Sequence, residues 1–263
     1  MSDQSRISGT DQLPTIAIDP ATKAAAARVR RTDHCGCLTM PTKKGMPDVP
    51  HLHADEQDLG APGWSYTLDR VRSGVTEGIK IFDPSAQVPC DDWMKVVTLP
   101  EEISQLKTVL QIRLYGSYLR RLPPQIGRLV ALEELDIYTS YSLHWLPYEI
   151  TRCSRLTKSR MSTRALYGNR KTRLPFPRLS APVEALMPPT CSVCDRAFGP
   201  VAPELYWVSL RIGTDTVPLL IHSCSRDCTL SVPTPPAEYF PRPHKGGDGV
   251  GMPDEWDPAR SIF

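Results

Sequence analysis

A motif of the form Leu-Pro-x-x-Ile-x-x-Leu-x-x-Leu-x-x-Leu-x-Leu runs in tandem through this chain, setting Leu99, Leu122 and Leu146, each followed by proline, 23 and 24 residues apart. Equivalent positions follow every step: Ile103, Ile126 and Ile150, then Leu106, Leu129 and Cys153, then Val109, Leu132 and Leu156. Two strand positions close each copy, Ile112 and Leu114, Leu135 and Ile137, then Ser159 and Met161, so the pattern decays in the third. An amphipathic helix does not reproduce a proline and several apolar positions at two such offsets. An L-x-L strand turns two side chains inward and leaves the intervening ones outward. A unit this small cannot cover its own apolar face, so successive copies must stack. The spacing predicts an α/β fold: a short solenoid with one exposed strand face.

These residues resemble the leucine-rich repeat family, in its short 23-residue type with the L-P-x-x-I step, closely over 99–161 and loosely over 162–180. The resemblance implies a curved solenoid that recognises a partner, most often a protein, on its concave sheet. By position the outward strand residues are Gln111, Arg113 and Tyr115; Glu134, Asp136 and Tyr138; Lys158, Arg160 and Ser162. Arg113, Tyr115, Asp136, Tyr138, Lys158 and Arg160 are the candidate partner-binding residues, with the two tyrosines one repeat apart and expected side by side. Aromatic residues flanked by Arg and Asp are the types that concentrate binding energy, and exposed tyrosines on a short sheet also occur as solvated packing. The sequence departs from the family in one respect. The asparagine usual after the strand is Ser117, Ser140 and Arg164 here, so a buried polar ladder must be built from hydroxyls or is incomplete.

A second pattern is Cys191-x-x-Cys194, 29 intervening residues, then Cys224-x-x-x-Cys228. Two close cysteine pairs are what a tetrahedral zinc ion needs, each pair supplying adjacent thiolates from one turn. Between them Leu205–Ile212 and Val217–His222 read as two strands around Gly213-Thr214-Asp215-Thr216. A CxxC knuckle, a hairpin and C-S-x-x-C resemble a treble-clef or related zinc-ribbon finger. Cys191, Cys194, Cys224 and Cys228 are the candidate ligands, with His222 an alternative to Cys224. Four thiolates leave no open position for water, so such a zinc is structural. His34, Cys35, Cys37, His51 and His53 have the residue types for a second site but match no motif spacing. Cys153 replaces a repeat leucine and reads as a small core residue, and a buried thiol is the default for Cys90.

The rest of the chain divides around these two patterns. With 27 prolines and 16 glycines unevenly spread, residues 1–60 read as mostly disordered, 61–98 as an N-terminal cap or degenerate repeat with its strand at Ile79–Phe82, 99–180 as the repeats, 188–232 as the zinc finger and 233–263 as a Pro/Gly-rich tail packed back through Tyr239, Phe240 and Trp256. The formal net charge of +2 leaves electrostatic recognition to local patches. The local anomaly is Arg152 to Arg178, with nine Lys and Arg and no acid. It supports an alternative reading, a nucleic-acid-binding protein that uses this stretch with the finger. No phosphate-binding loop, G-x-S-x-G elbow or H-E-x-x-H occurs, so no enzyme is expected. No signal-peptide core or apolar run long enough for a bilayer is seen, which predicts a cytoplasmic protein without a membrane partner. The leading expectation is a non-enzymatic protein-binding scaffold with a structural zinc site.

Overall fold

The computed structural model describes residues 50, 52–169, 174–247 and 250. Within them every Leu-Pro step acts alike. Pro100, Pro123 and Pro147 lie in extended backbone with φ of -65, -71 and -67°, and a five-residue 3-10 helix follows each: Glu101–Gln105, Pro124–Arg128 and Tyr148–Arg152. Proline fixes φ near this value, so the step prepares the chain to enter a helical turn. The isoleucine inside each turn is buried, and the three turns pack side by side.

Each turn is followed by a strand. Strands β1 (Ile81–Phe82), β2 (Gln111–Arg113) and β3 (Glu134–Ile137) pair in parallel, β4 (Leu146–Pro147) belongs to a different sheet, and β5 (Lys158–Met161) completes the first with order β1-β2-β3-β5. Gln111 lies opposite Glu134 and Glu134 opposite Lys158, so the register joins the same motif position in consecutive copies. Ile112, Leu114 and Leu135 are each 0 % exposed. The leucines and isoleucines of the motif form one buried cluster with Phe82, Val96 and Leu99.

The hydroxyls do form the ladder that asparagine would otherwise supply. Ser117 Oγ donates to Ser140 Oγ at 2.8 Å, and Ser140 Oγ donates to the Leu114 carbonyl at 2.8 Å. In the third copy Ser162, not Arg164, takes the role: its Oγ accepts from the Thr139 N–H at 2.7 Å. The expected Arg164 is thus replaced in this role by the residue two positions earlier, the one directly after β5.

Ahead of the repeats stands helix α1 (Pro62–Glu77), then β1 and the short helix α2 (Cys90–Trp93). The strand falls within the expected Ile79–Phe82 segment and pairs with β2. Cys90 is exposed rather than buried, since it opens α2 on the outer side.

After the repeats, β6 (Glu204–Ile212) and β7 (Asp215–Ser223) form an antiparallel hairpin, and α3 (Arg226–Leu230) follows. Gly213, with φ of 60°, begins the two-residue loop, the position that a tight hairpin of this kind reserves for glycine. β4 pairs in parallel with β7, Leu146 opposite Leu219. Val208, Leu210, Ile212, Val217, Leu219 and Ile221 enter the same buried cluster as the repeat leucines, so the core runs without a break from the repeats into the hairpin. A second cluster gathers Trp145, Tyr167, Phe176 and Trp207. The tail crosses it: His244 and Trp207 exchange backbone hydrogen bonds of 2.8 and 3.0 Å. Phe240 meets His244 edge-on at 4.9 Å, while Trp256 lies outside the described residues. Part of the segment expected to be disordered is placed here as well, with Leu52 and Ala54 against this cluster and Gln57 Oε1 accepting from the Val97 N–H at 2.7 Å.

Candidate recognition face and metal centre

Alternation along β2, β3 and β5 decides which side chains leave the core. Tyr115 and Tyr138 follow the outward positions of successive copies, and their ring centroids lie 6.0 Å apart at 34°. The Arg160 guanidinium stands 4.8 Å from the Tyr138 ring centroid and 6.0 Å from that of Tyr115, within reach of a cation–π interaction. Arg160 also faces Asp136 at 3.4 Å. Burial raises the Asp136 carboxyl above its ordinary range, opposed by the Tyr138 N–H and by Arg160. The Tyr138 N–H donates to Asp136 Oδ1 at 3.0 Å. Asp136 is therefore enclosed by its neighbours, at 9 % exposure: it orients Arg160 and the Tyr138 backbone rather than standing free on the sheet. Arg113 donates to Gln111 Oε1 at 2.9 Å, and Lys158 is exposed at the sheet edge. Five of the six candidate face residues thus present surface to solvent, and the sixth supports them.

The four cysteines converge from two turns. The Cys191–Cys194 knuckle precedes the hairpin and the second pair follows it at the start of α3. Their sulfurs all lie within 4.8 Å of one another, with Cys194 to Cys224 at 3.6 Å and Cys224 to Cys228 at 3.7 Å. A tetrahedron with metal–sulfur bonds of roughly 2.3 Å has edges of about 3.8 Å, so the donor set fits a thiolate-bound metal. Local contacts hold the geometry. The Cys224 N–H points at Cys191 Sγ at 3.4 Å, and Ser225 caps α3 by accepting from the Cys228 N–H at 3.2 Å. The Cys194 thiol is drawn down to about 6, first by the Arg196 N–H, whereas Cys224 is pushed up to about 12, first by the Cys191 sulfur beside it. Crowded thiols cannot all ionise without a cation among them.

Asp195 ties this knuckle to the repeats. It lies 2.8 Å from Arg128 and 3.1 Å from Arg152, each the last residue of a repeat 3-10 helix. Arg152 also donates to the Cys191 and Ser192 carbonyls at 3.1 and 2.8 Å. A hydrogen bond from Thr190 and then these arginines lower the Asp195 carboxyl below its ordinary range. Nothing in the sequence marked Asp195, because its partners lie far away in the chain.

His222 is 3 % exposed, lies outside the sulfur quartet, and is pushed down to about 4 by burial. His34, Cys35, Cys37 and His51 lie outside the described residues. His53 faces Asp55 at 3.4 Å and stacks on His144 at 5.5 Å. Cys153 is buried in the repeat core, its thiol pushed up to about 11 by desolvation. Within the basic stretch, Arg152, Arg155 and Arg160 are paired with Asp195, Glu133 and Asp136, acids contributed from outside it. Among the described residues no helix is long and apolar enough to cross a membrane.

No protein-family model and no curated protein sequence matches the chain. Among solved structures, a leucine-rich-repeat protein of Leptospira interrogans aligns at 28% identity with a TM-score of 0.23, over 25% of this chain and 18% of its own. The chain therefore spans less than a fifth of that protein's length.

Proposed function

We propose that this chain is a non-enzymatic recognition protein, in which the Leu-Pro copies form a short leucine-rich-repeat solenoid whose open sheet face binds a protein partner. The observation that carries the reading is the Tyr115, Tyr138 and Arg160 group: two rings at 6.0 Å with one guanidinium over both. Such a group is held in place before binding, so little side-chain freedom is lost on contact, and its residue types are those enriched at binding hot spots. The cysteine quartet is read as a structural zinc site, because four thiolates close the coordination sphere. The pairing of Arg152, Arg155 and Arg160 with carboxylates weighs against the nucleic-acid reading, since those charges are already answered.

The test uses the full chain as bait and Tyr115→Ala/Tyr138→Ala as its control. A partner identified on the wild-type protein, then purified, should bind it directly and lose at least about tenfold in affinity to the double variant, with an unchanged circular dichroism spectrum. Equal affinity for both proteins would remove the sheet face from the interaction.

A further inference from the structure

Two residues stand just ahead of each Leu-Pro step: Val97 and Thr98 before Leu99, Arg120 and Arg121 before Leu122, His144 and Trp145 before Leu146. The Arg120 N–H donates to the Val97 carbonyl at 2.9 Å, so equivalent positions of the first two copies are joined here. A segment from outside the repeats, residues 52–58, crosses this edge.

Every second residue of that segment meets one copy. Gln57 Oε1 accepts from the Val97 N–H at 2.7 Å and from the Thr98 N–H at 3.5 Å, in the first copy. The Asp55 carbonyl accepts from Arg121, and its carboxylate lies 3.9 Å from Arg120 Nε, in the second. His53 stacks on His144 in the third, with ring centroids 5.5 Å apart at 29°, and is 5 % exposed. The segment thus runs opposite to the order of the copies and is read at two residues per copy. An extended chain makes this possible, because it turns alternate side chains to the same side.

The segment has little structure of its own to hold it there. None of residues 52–58 belongs to a helix or a strand. It carries Asp55, Glu56 and Asp58 and no Lys or Arg, a composition that does not order a chain by itself. The edge that receives it is basic. Arg121 is 8 % exposed, and burial lowers its guanidinium below its ordinary value, opposed by Asp55 and Glu56. Acid against base, with side-chain anchors at a regular spacing, is the relation of a ligand to its site.

We propose that this edge is a binding site for an extended acidic peptide, occupied in cis by residues 52–58. A partner that presents an imidazole, a carboxylate and a side-chain amide at alternate positions takes the site when the segment leaves. The proposal is independent of the sheet-face reading, since it uses none of the residues of that face. The probe is a fluorescein-labelled peptide of residues 50–60. In the wild-type full chain the tethered segment holds the site at an effective concentration of about millimolar, so the peptide should bind at least about 100-fold more weakly than to the full-chain variant His53→Ala/Gln57→Ala. That variant loses two anchors of the segment and keeps the receiving edge intact. A scrambled peptide of the same composition should bind it at least about tenfold more weakly. No binding of the peptide to the variant, equal binding to variant and wild type, or equal binding of the scrambled peptide would each overturn the proposal. Native-state hydrogen exchange on the wild-type chain decides the matter if the variant fails to fold. The Val97 amide, released when Gln57 leaves, should be protected but exchange at least about 100-fold faster than the Leu114 amide, and without dependence on dilute urea. Leu114 donates to the Asp136 carbonyl at 2.7 Å inside the parallel sheet and reports global unfolding. Equal rates with equal urea dependence would make the segment an inseparable part of the fold and overturn the proposal.

Discussion

At the scale of single residues, the protein replaces a common device with a smaller one. A buried asparagine offers two donors and an acceptor, whereas a serine hydroxyl offers one donor and two lone pairs. Ser140 uses that capacity fully: its Oγ donates to the Leu114 carbonyl and accepts from the Ser117 N–H and Ser117 Oγ, at 2 % exposure. Ser117 mainly feeds that acceptor, so the two positions are unequal. Ser140→Ala is expected to cost about 1–3 kcal/mol, because it leaves the buried Ser117 hydroxyl without its acceptor and takes a donor from the Leu114 carbonyl. Ser117→Ala should cost less, since the remaining hydroxyl can still donate to Leu114. Urea unfolding midpoints of the two variants check the order; a larger loss in Ser117→Ala would show that the ladder is organised from the other end.

At the scale of elements, what could be read from the sequence depended on whether an element's partners lie close to it in the repeat. The Leu-Pro turns and β2 and β3 were legible because each copy specifies its own neighbours. β5 was obscure for a physical reason. Ser159 occupies a leucine position, and its Oγ instead accepts from the Thr214 and Asp215 N–H groups at 2.9 and 3.1 Å, receiving the hairpin loop. Helix α1 showed no apolar stripe because the residues it buries are Gly63, Thr67, Val71 and Gly74, a helical spacing filled mostly with small side chains. The cysteine quartet was legible from spacing, but its Asp195 link to Arg128 and Arg152 was not, since no local pattern announces a distant ion pair. The tail was read as Pro/Gly-rich and packed back through its aromatic residues, but its pairing with β6 through His244 was not marked by any pattern. Burial pushes that imidazole down to about 4, and its Nδ1 accepts from the Gly246 N–H at 3.1 Å, which requires the neutral ring. Between about 6.5 and 4 the unfolded chain binds this proton and the folded chain does not, so His244 takes stability away as pH falls through that window. The contribution is on the order of 3 kcal/mol. His244→Gln should reduce but not abolish the wild-type fall in unfolding free energy between pH 6.5 and 4, because burial pushes His222 down to about 4 as well; parallel profiles would show that His244 carries none of the acid sensitivity.

At the scale of the molecule, the cysteine quartet is either an appendage or part of the structure that holds the parallel sheet. A finger joined by a linker would unfold alone. Here the hairpin's apolar residues share the repeat core, β7 pairs with β4, and Asp195 holds two repeat arginines from beside the knuckle. A metal on the quartet would therefore stabilise the hairpin, whose loop sits against Ser159 of β5. Binding free energy at a structural thiolate site becomes folding free energy. We expect the purified protein to hold one zinc per chain, and chelation or Cys191→Ser to lower Tm by on the order of 10 °C or more. The loss should appear in one transition, seen equally by far-ultraviolet circular dichroism, which reports the backbone, and by near-ultraviolet signals from Trp145 and Trp207 in the second core. Two separated transitions, with the repeat signal unmoved, would make the finger an independent module. An unchanged melting curve after complete removal of metal would take zinc out of the fold altogether.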